Sequence, residues 1–262
     1  KMYEKGLAYR AKTFVNWCPN DKTVLANEQV KDGCCDRCGT EVEQKELAQW
    51  MFKITDYADR LIDDIEGLDW PETTKAAQKN WIGRSEGALI KFLVPNSKEY
   101  IEVFTTRADT LFGATYLVLA PEHPMVTKFI KDENLDAVSK YLEEVKNKTE
   151  MERLHIDKSK TGVATGGYAV NPVNNEKIPV WVADYVIGWY GTGAVMAVPA
   201  HDERDWEFAK KYDLPVKMVV CPHYPAPTCP ILEKAFTEDA HLVDSAEFTG
   251  MKSAEARKKI VE

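Results

Sequence analysis

Residues 100–120 read YIEVFTTRADTLFGATYLVLA. The flanks, YIEVFTT (100–106) and TYLVLA (115–120), have the β-branched and aromatic character of strands. From 105 to 115 the stretch holds Thr105, Thr106, Thr110 and Thr115, with Arg107 and Asp109 in the same run. That is too many hydroxyls for an ordinary buried strand and too much β-branching for an ordinary loop. Ile101, Val103 and Thr105 alternate with Glu102, Phe104 and Thr106, so the strand ends in hydroxyls and RADT turns out of it. Taken alone, the stretch admits two readings. It is either a pocket rim, since loops on a rigid scaffold carry function, or a structural strand end. Arg107 is expected to pair with a carboxylate inside the fold, because a buried guanidinium seldom goes unpaired.

Working outward, 88–94, 178–187 and 194–198 also read as strands, and helices are expected at 124–131, 136–152 and 203–212. Strands outnumber helices in mixed order, which predicts an α/β domain over 81–262 with a curved, barrel-like mixed sheet flanked by helices. Upstream, Trp50, Ile54, Tyr57, Leu61 and Ile65 recur at spacings of three and four. They predict a helix from Glu46 to about Gly67, followed by a short helix over DWPETTKAAQKNW with Pro71 near its first turn. Residues 46–80 are therefore expected to be a helical connector, and 1–45 a separate small module.

That module holds Cys18, Cys34, Cys35 and Cys38. Cys18 followed by Cys35-x2-Cys38 resembles a zinc ribbon with one incomplete knuckle, so a metal site needs Asp21 or Cys34 as its fourth ligand. The alternative is a ribbon fold without its metal. A second motif, YGTGAVMAVPAHDERDWEFAKKYDLP, covers 190–215. Its glycines permit a tight turn, a strand runs to Val198, Pro199 ends the strand, and a helix begins. Asp202 suits the N-cap and Asp205 lies where a capping box would reach back, so capping alone is one reading of both acids. His201 is a base or a turn residue.

Of the 262 residues, 44% are hydrophobic and 29% charged, which excludes disorder. The net charge of −8 argues against a general nucleic-acid surface, though not against a pocket for the end of one. No apolar run suits a membrane span and no signal segment opens the chain, so a cytoplasmic protein is expected. The opening KMYEKGLAYR reads as the start of a piece of a longer chain.

NWCPND with LANEQV, NWIGRSEG, TTRADT and YGTGAVMAVPAHDERD, in that order along the chain, resemble bacterial-type leucyl-tRNA synthetase over essentially the whole chain. Isoleucyl and valyl relatives typically carry His where this chain has Met196. The aminoacylation signatures HIGH and KMSKS occur nowhere, so the chain is not expected to activate leucine. The resemblance implies the insertion that carries the editing domain, which hydrolyses tRNA-Leu mischarged with norvaline, isoleucine or similar amino acids without a cofactor. It implies a monomer whose partners are the mischarged acceptor end and the rest of the synthetase, with no membrane. The rival is a non-catalytic module that only binds tRNA or docks on the synthetase. By resemblance, Asp205 takes the α-ammonium with Asp202 nearby, and Thr105 and Thr106 hold water, ribose or the oxyanion. Thr110 excludes leucine, with Arg107 and His201 beside the substrate, while Met196 and Val198 line an apolar pocket and Tyr190 holds the terminal nucleotide. The zinc set is Cys18, Cys35, Cys38 and Asp21. Asp21 stands where the ribbon has Cys, and Ala108 where many relatives have Pro.

Overall fold

Long strands organise both halves of the molecule. The computed structural model describes residues 1–146, 160–188, 191–225 and 233–262, and these form two compact units, Lys1–Ser85 and Glu86–Glu262.

In the first unit, β1 (Ala8–Cys18) pairs antiparallel with β5 (Glu43–Phe52) from Ala8↔Phe52 to Trp17↔Glu43, and β2 (Thr23–Leu25) lies on the other side of β1. Between them β3 (Val30–Lys31) and β4 (Cys34–Cys35) form a small hairpin. The helix expected from Glu46 is thus a strand over its first part. Trp50, Ile54, Tyr57 and Leu61 are exposed, and of the expected stripe only Ile65 is buried. The reason is the partner: β1 supplies backbone bonds along all of 43–52, and Leu47, Gln49 and Met51 alternate as the partly covered face. Period two therefore prevails over a four-residue spacing that straddles the strand's end. Helix α1 (Ala58–Asp63) follows, flanked by 3-10 turns at Ile54–Tyr57 and Asp64–Gly67. Helix α2 (Glu72–Ile82) starts after Pro71 and stops at Gly83.

The second unit carries β6 (Ala88–Leu93), β7 (Tyr100–Thr105), β8 (Tyr116–Leu119), β9 (Gly162–Val170), β10 (Lys177–Ala183) and β11 (Ala194–Ala197). They form one sheet in the order β11-β8-β10-β9-β6-β7, parallel only between β8 and β10. The mixed sheet is as expected, but it is not a closed barrel. Edge strands β7 and β11 approach within 8 Å at Cα, and no ladder joins them. Strand β10 also ends four residues early, because Asp184 turns its carboxylate to the N–H and hydroxyl of Thr161 at 2.9 and 2.7 Å. The sequence reading missed β9, GVATGGYAV, whose glycines look like loop. Gly167 is there because a Cβ would lie 2.6 Å from the carbonyl of Phe129.

Helices α3 (Val126–Phe129) and α4 (Leu135–Lys146) cover one face of the sheet. Phe92, Ile101, Leu117, Val138, Val180 and Met196 share that core. The expected continuation of α4 to 152 lies outside the described residues. On the other face, Phe208 of α5 (Glu203–Lys211) packs on Tyr116, Val118 and Ala197. Strands β12 (Val220–Cys221) and β13 (His241–Leu242), with α6 (Ser253–Lys259), enclose Phe112 in a third cluster. Among the described residues no helix is long and apolar enough to cross a membrane.

Candidate active site

Strand β7 ends at Thr105, and the chain turns at once into a buried 3-10 segment, Ala108–Gly113. The hydroxyls organise that turn around Arg107. Thr105 Oγ1 accepts from the Arg107 N–H at 3.0 Å, and Thr110 Oγ1 donates to the Arg107 carbonyl at 2.9 Å. Thr110 is buried, so its one rotatable side-chain bond is set by both packing and a hydrogen bond. Thr106 remains exposed. Arg107 meets its expected carboxylate two residues on: its Nε and Nη2 lie 3.0 Å from Asp109, which is fully buried. A second guanidinium, Arg257 of α6, donates from Nε to the same carboxylate at 2.9 Å.

The other half of the site is β11 and the start of α5. Gly193 turns into the strand with φ 69°, where a Cβ would lie 2.9 Å from the carbonyl of Gly188. Met196 and Val198 then share one face, packed with Leu111 and Ile101, while Val195 and Ala197 face α5. Asp202 is the N-cap, accepting from the N–H groups of Arg204 and Asp205 at 2.9 and 3.2 Å. Asp205 does not cap. Its carboxylate turns back to the end of β11, accepting from Val198 N–H at 2.9 Å and Tyr185 Oη–H at 3.1 Å. Burial, with the charge of Asp202 adding to it, pushes the Asp205 carboxyl up to about 7. Two hydrogen bonds hold a carboxylate that water has left, and a cation is what such a group lacks.

His201 has a structural position. Its Nδ1–H donates to the Phe236 carbonyl at 2.9 Å, and Nε2 accepts from Val219 and Val220 N–H at 3.0 and 3.1 Å. Burial pushes it down to about 4, so it is neutral near pH 7 with both nitrogens committed to backbone. His201 thus staples the chain at 236 to the chain at 219–220. Asp202 likewise has its first task in capping. Tyr190 lies outside the described residues.

The two halves adjoin through β7 and β11 and through backbone: Arg107 Nη1 donates to the Thr237 carbonyl at 2.9 Å, next to the Phe236 carbonyl that His201 holds. Among the described residues no hydrogen bond joins Asp205 to Thr105, Thr106 or Thr110. Reading by motif missed Tyr185 and Arg257. Neither stands in a chemically marked pattern, and only the fold brings them to the acids they serve.

In the first unit, Cys18, Asp21, Cys35 and Cys38 place their ligand atoms within 4.8 Å of one another. Cys18 Sγ lies 3.4 Å from Cys38 Sγ, and Cys35 Sγ 3.6 Å from Asp21 Oδ2. A tetrahedral centre with metal–sulfur bonds of about 2.3 Å needs sulfurs about 3.8 Å apart, so the cluster is near the size that could hold a metal ion. Between the two expected fourth ligands the fold selects Asp21, whose N–H also donates to Cys18 Sγ at 3.3 Å, and leaves Cys34 outside.

Comparison with known proteins places these features in a family. Residues 79–262 match the family described as "Leucyl-tRNA synthetase, editing domain", and residues 1–87 match class I tRNA synthetases (I, L, M and V). The chain is 54% identical over all 262 residues to the leucine--tRNA ligase of Clostridium perfringens (strain SM101), and 57% identical to that of Caldanaerobacter subterraneus subsp. tengcongensis. It spans 32% of the length of each. A crystal structure of the Agrobacterium radiobacter K84 LeuRS-tRNA-LeuAMS ternary complex is similar with TM-score 0.69 and 41% identity, covering 99% of this chain and 29% of that one. A Thr-rich strand end, a buried acid behind a GTG turn and a match across residues 79–262 agree, and the chain belongs to the leucyl-tRNA synthetase editing-domain family.

Proposed function

We propose that residues 81–262 form the editing domain and hydrolyse the aminoacyl ester of tRNA-Leu carrying norvaline, isoleucine or a similar non-cognate amino acid. The observation that carries this reading is Asp205, a buried carboxylate that accepts from Val198 N–H and Tyr185 Oη–H and, among the described residues, makes no salt bridge. The α-ammonium of an aminoacyl ester is the cation it would take. The ester is already reactive, so a positioned water at the end of β7, with Thr105 and the exposed Thr106 holding water, ribose or the developing oxyanion, supplies most of the acceleration. Met196 and Val198 are the apolar wall for the amino-acid side chain, and Thr110 is the obstacle to leucine.

Single-turnover deacylation of norvalyl-tRNA-Leu tests the reading against a binding-only module, which would shift tRNA mobility and release no amino acid. Tyr185→Phe sharpens it. The Tyr185 hydroxyl holds the Asp205 carboxylate in its charged form, so its loss raises the Asp205 pKa further. The expected result is a deacylation profile whose rise moves to higher pH, with the rate recovered at the alkaline end. An unmoved profile would separate Tyr185 from the reaction.

Residues 1–45 are proposed to be a zinc-ribbon-like module which, with the connector at 46–80, docks against the rest of the synthetase. Phe14, Trp50 and Trp81 are exposed apolar side chains on the first unit, and the matched relatives are about three times as long as this chain. Its four-ligand cluster is proposed to hold zinc, with structural and not catalytic consequence. Purified without chelator, the chain is expected to carry about one zinc, and Asp21→Ala to lose much of it, since three thiolates leave a tetrahedral site incomplete. Metal analysis showing no zinc in the parent chain would leave the ribbon as a fold without its ion.

A further inference from the structure

We infer that Arg257 is a positioning residue for selectivity: from the C-terminal helix it fixes the turn that carries Thr110, and so sets where leucine is refused. The inference rests on the editing reading above and adds a residue to it.

Asp109, immediately before Thr110, has no exposed surface and is shared by two guanidiniums. The pair with Arg107 is local, two residues apart, and moves with the turn if the turn moves. The pair with Arg257 spans 148 residues and ties the turn to α6. Arg257 is itself held on its far side by Asp239, and Arg107 reaches the Thr237 carbonyl, so the whole clamp closes on the chain at 237–239. Thr110 lies inside this clamp, its N–H and its hydroxyl both bonded to the Arg107 carbonyl at 3.0 and 2.9 Å. Every side chain from Ala108 to Phe112 is buried, so the turn has no solvent-facing slack. An obstacle that distinguishes two side chains of nearly equal size works only if its place is fixed to a fraction of an ångström. Local hydrogen bonds shape the turn, and Arg257 anchors it.

The test compares hydrolysis of leucyl- and norvalyl-tRNA-Leu by the parent chain, Arg257→Ala, Arg257→Lys and Asp239→Asn. In Arg257→Ala, leucyl-tRNA hydrolysis is expected to rise at least about tenfold while the norvalyl rate changes less than about threefold. Arg257→Lys keeps the second positive charge beside Asp109 and should recover part of the selectivity. Asp239→Asn neutralises the outer carboxylate that holds Arg257 but leaves the Arg257–Asp109 bond, and should shift the ratio in the same direction as Arg257→Ala by a smaller factor. A loss of structure slows both substrates together and cannot create hydrolysis of leucyl-tRNA, so equal falls in both rates, or an unchanged ratio, overturn the proposal. If Arg257→Ala does not fold, the ratio in Arg257→Lys decides by the same criterion. A parent chain that leaves norvalyl-tRNA intact would instead overturn the editing reading, and this inference with it.

Discussion

Asp205→Asn is expected to abolish deacylation of norvalyl-tRNA-Leu and, above neutral pH, to make the protein more stable. The loss follows from the ammonium contact. A charge-assisted hydrogen bond contributes about 1.5–3 kcal/mol, so its removal costs roughly tenfold to a hundredfold in rate before any misorientation is added. The gain follows from the raised pKa. The folded state holds a proton on Asp205 up to about pH 7, whereas an unfolded Asp releases it near 4. The stabilising contribution is thus fully present below about 4 and declines as pH rises through 7, leaving above 7 a charged carboxylate in a site that disfavours it. Asn carries no such charge and keeps an oxygen for the Val198 N–H. Its advantage should therefore be near zero at pH 4 and on the order of 2–4 kcal/mol at pH 8, read from paired thermal melts. Alanine is the poorer probe, because it would leave that buried N–H unpaired. Equal melts at pH 8, or parent-like deacylation, would remove Asp205 from the ammonium site.

Thr110→Ala is expected to let the domain hydrolyse correctly charged leucyl-tRNA-Leu, with norvalyl hydrolysis largely retained. Leucine and isoleucine are about equal in size, and a methylene in an apolar pocket discriminates by only about 1–3 kcal/mol, so refusal of leucine needs a fixed obstacle at its branch point. The hydroxyl of Thr110 is spent on the Arg107 carbonyl, which leaves shape as the gating property. Three further variants separate shape from polarity. Thr110→Val should still refuse leucine, and the Arg107 carbonyl keeps the Thr110-position N–H as a donor. Thr110→Ser keeps the hydroxyl bond, loses the methyl and should admit leucine in part. Thr110→Tyr should fill the pocket and suppress both substrates. An Ala variant that still spares leucyl-tRNA would move the gate to Met196 or Val198.

The sequence disclosed those parts of the molecule in which local pattern and tertiary partner agree. Strands β6, β7, β8 and β11 lie within about a residue of their expected bounds, and α5 begins at its capping aspartate, because alternation, Pro199 and Asp202 act in the same direction. Residues 43–52 went the other way: a partner strand more than 25 residues upstream decides them, and a spacing of four cannot register it. The glycines of β9 were opaque for a related reason, since what excludes a side chain there lies far off in sequence, as the backbone of Phe129 does for Gly167. At the site, the acid was legible and its environment was not. Asp205 and Asp202 look alike in HDERD, yet one caps the helix and the other turns inward to Val198 and Tyr185. His201 is open in the sequence to a base or a turn role, and its ring nitrogens bond backbone at three residues distant in sequence.

The clamp on Asp109 also bears on the order in which the molecule can be assembled. The strands around the Thr-rich turn are complete once β11 has been made, but Arg257 leaves the ribosome some sixty residues later. Until it arrives, Asp109 is held by its neighbour Arg107, while Asn171 Nδ2 already donates to the Leu111 carbonyl further along the turn at 2.9 Å. Contacts between residues this far apart form late, because a long loop must close before they contribute. A chain interrupted before α6 would accordingly possess all six strands of the large sheet but not the tie from Arg257 to Asp109.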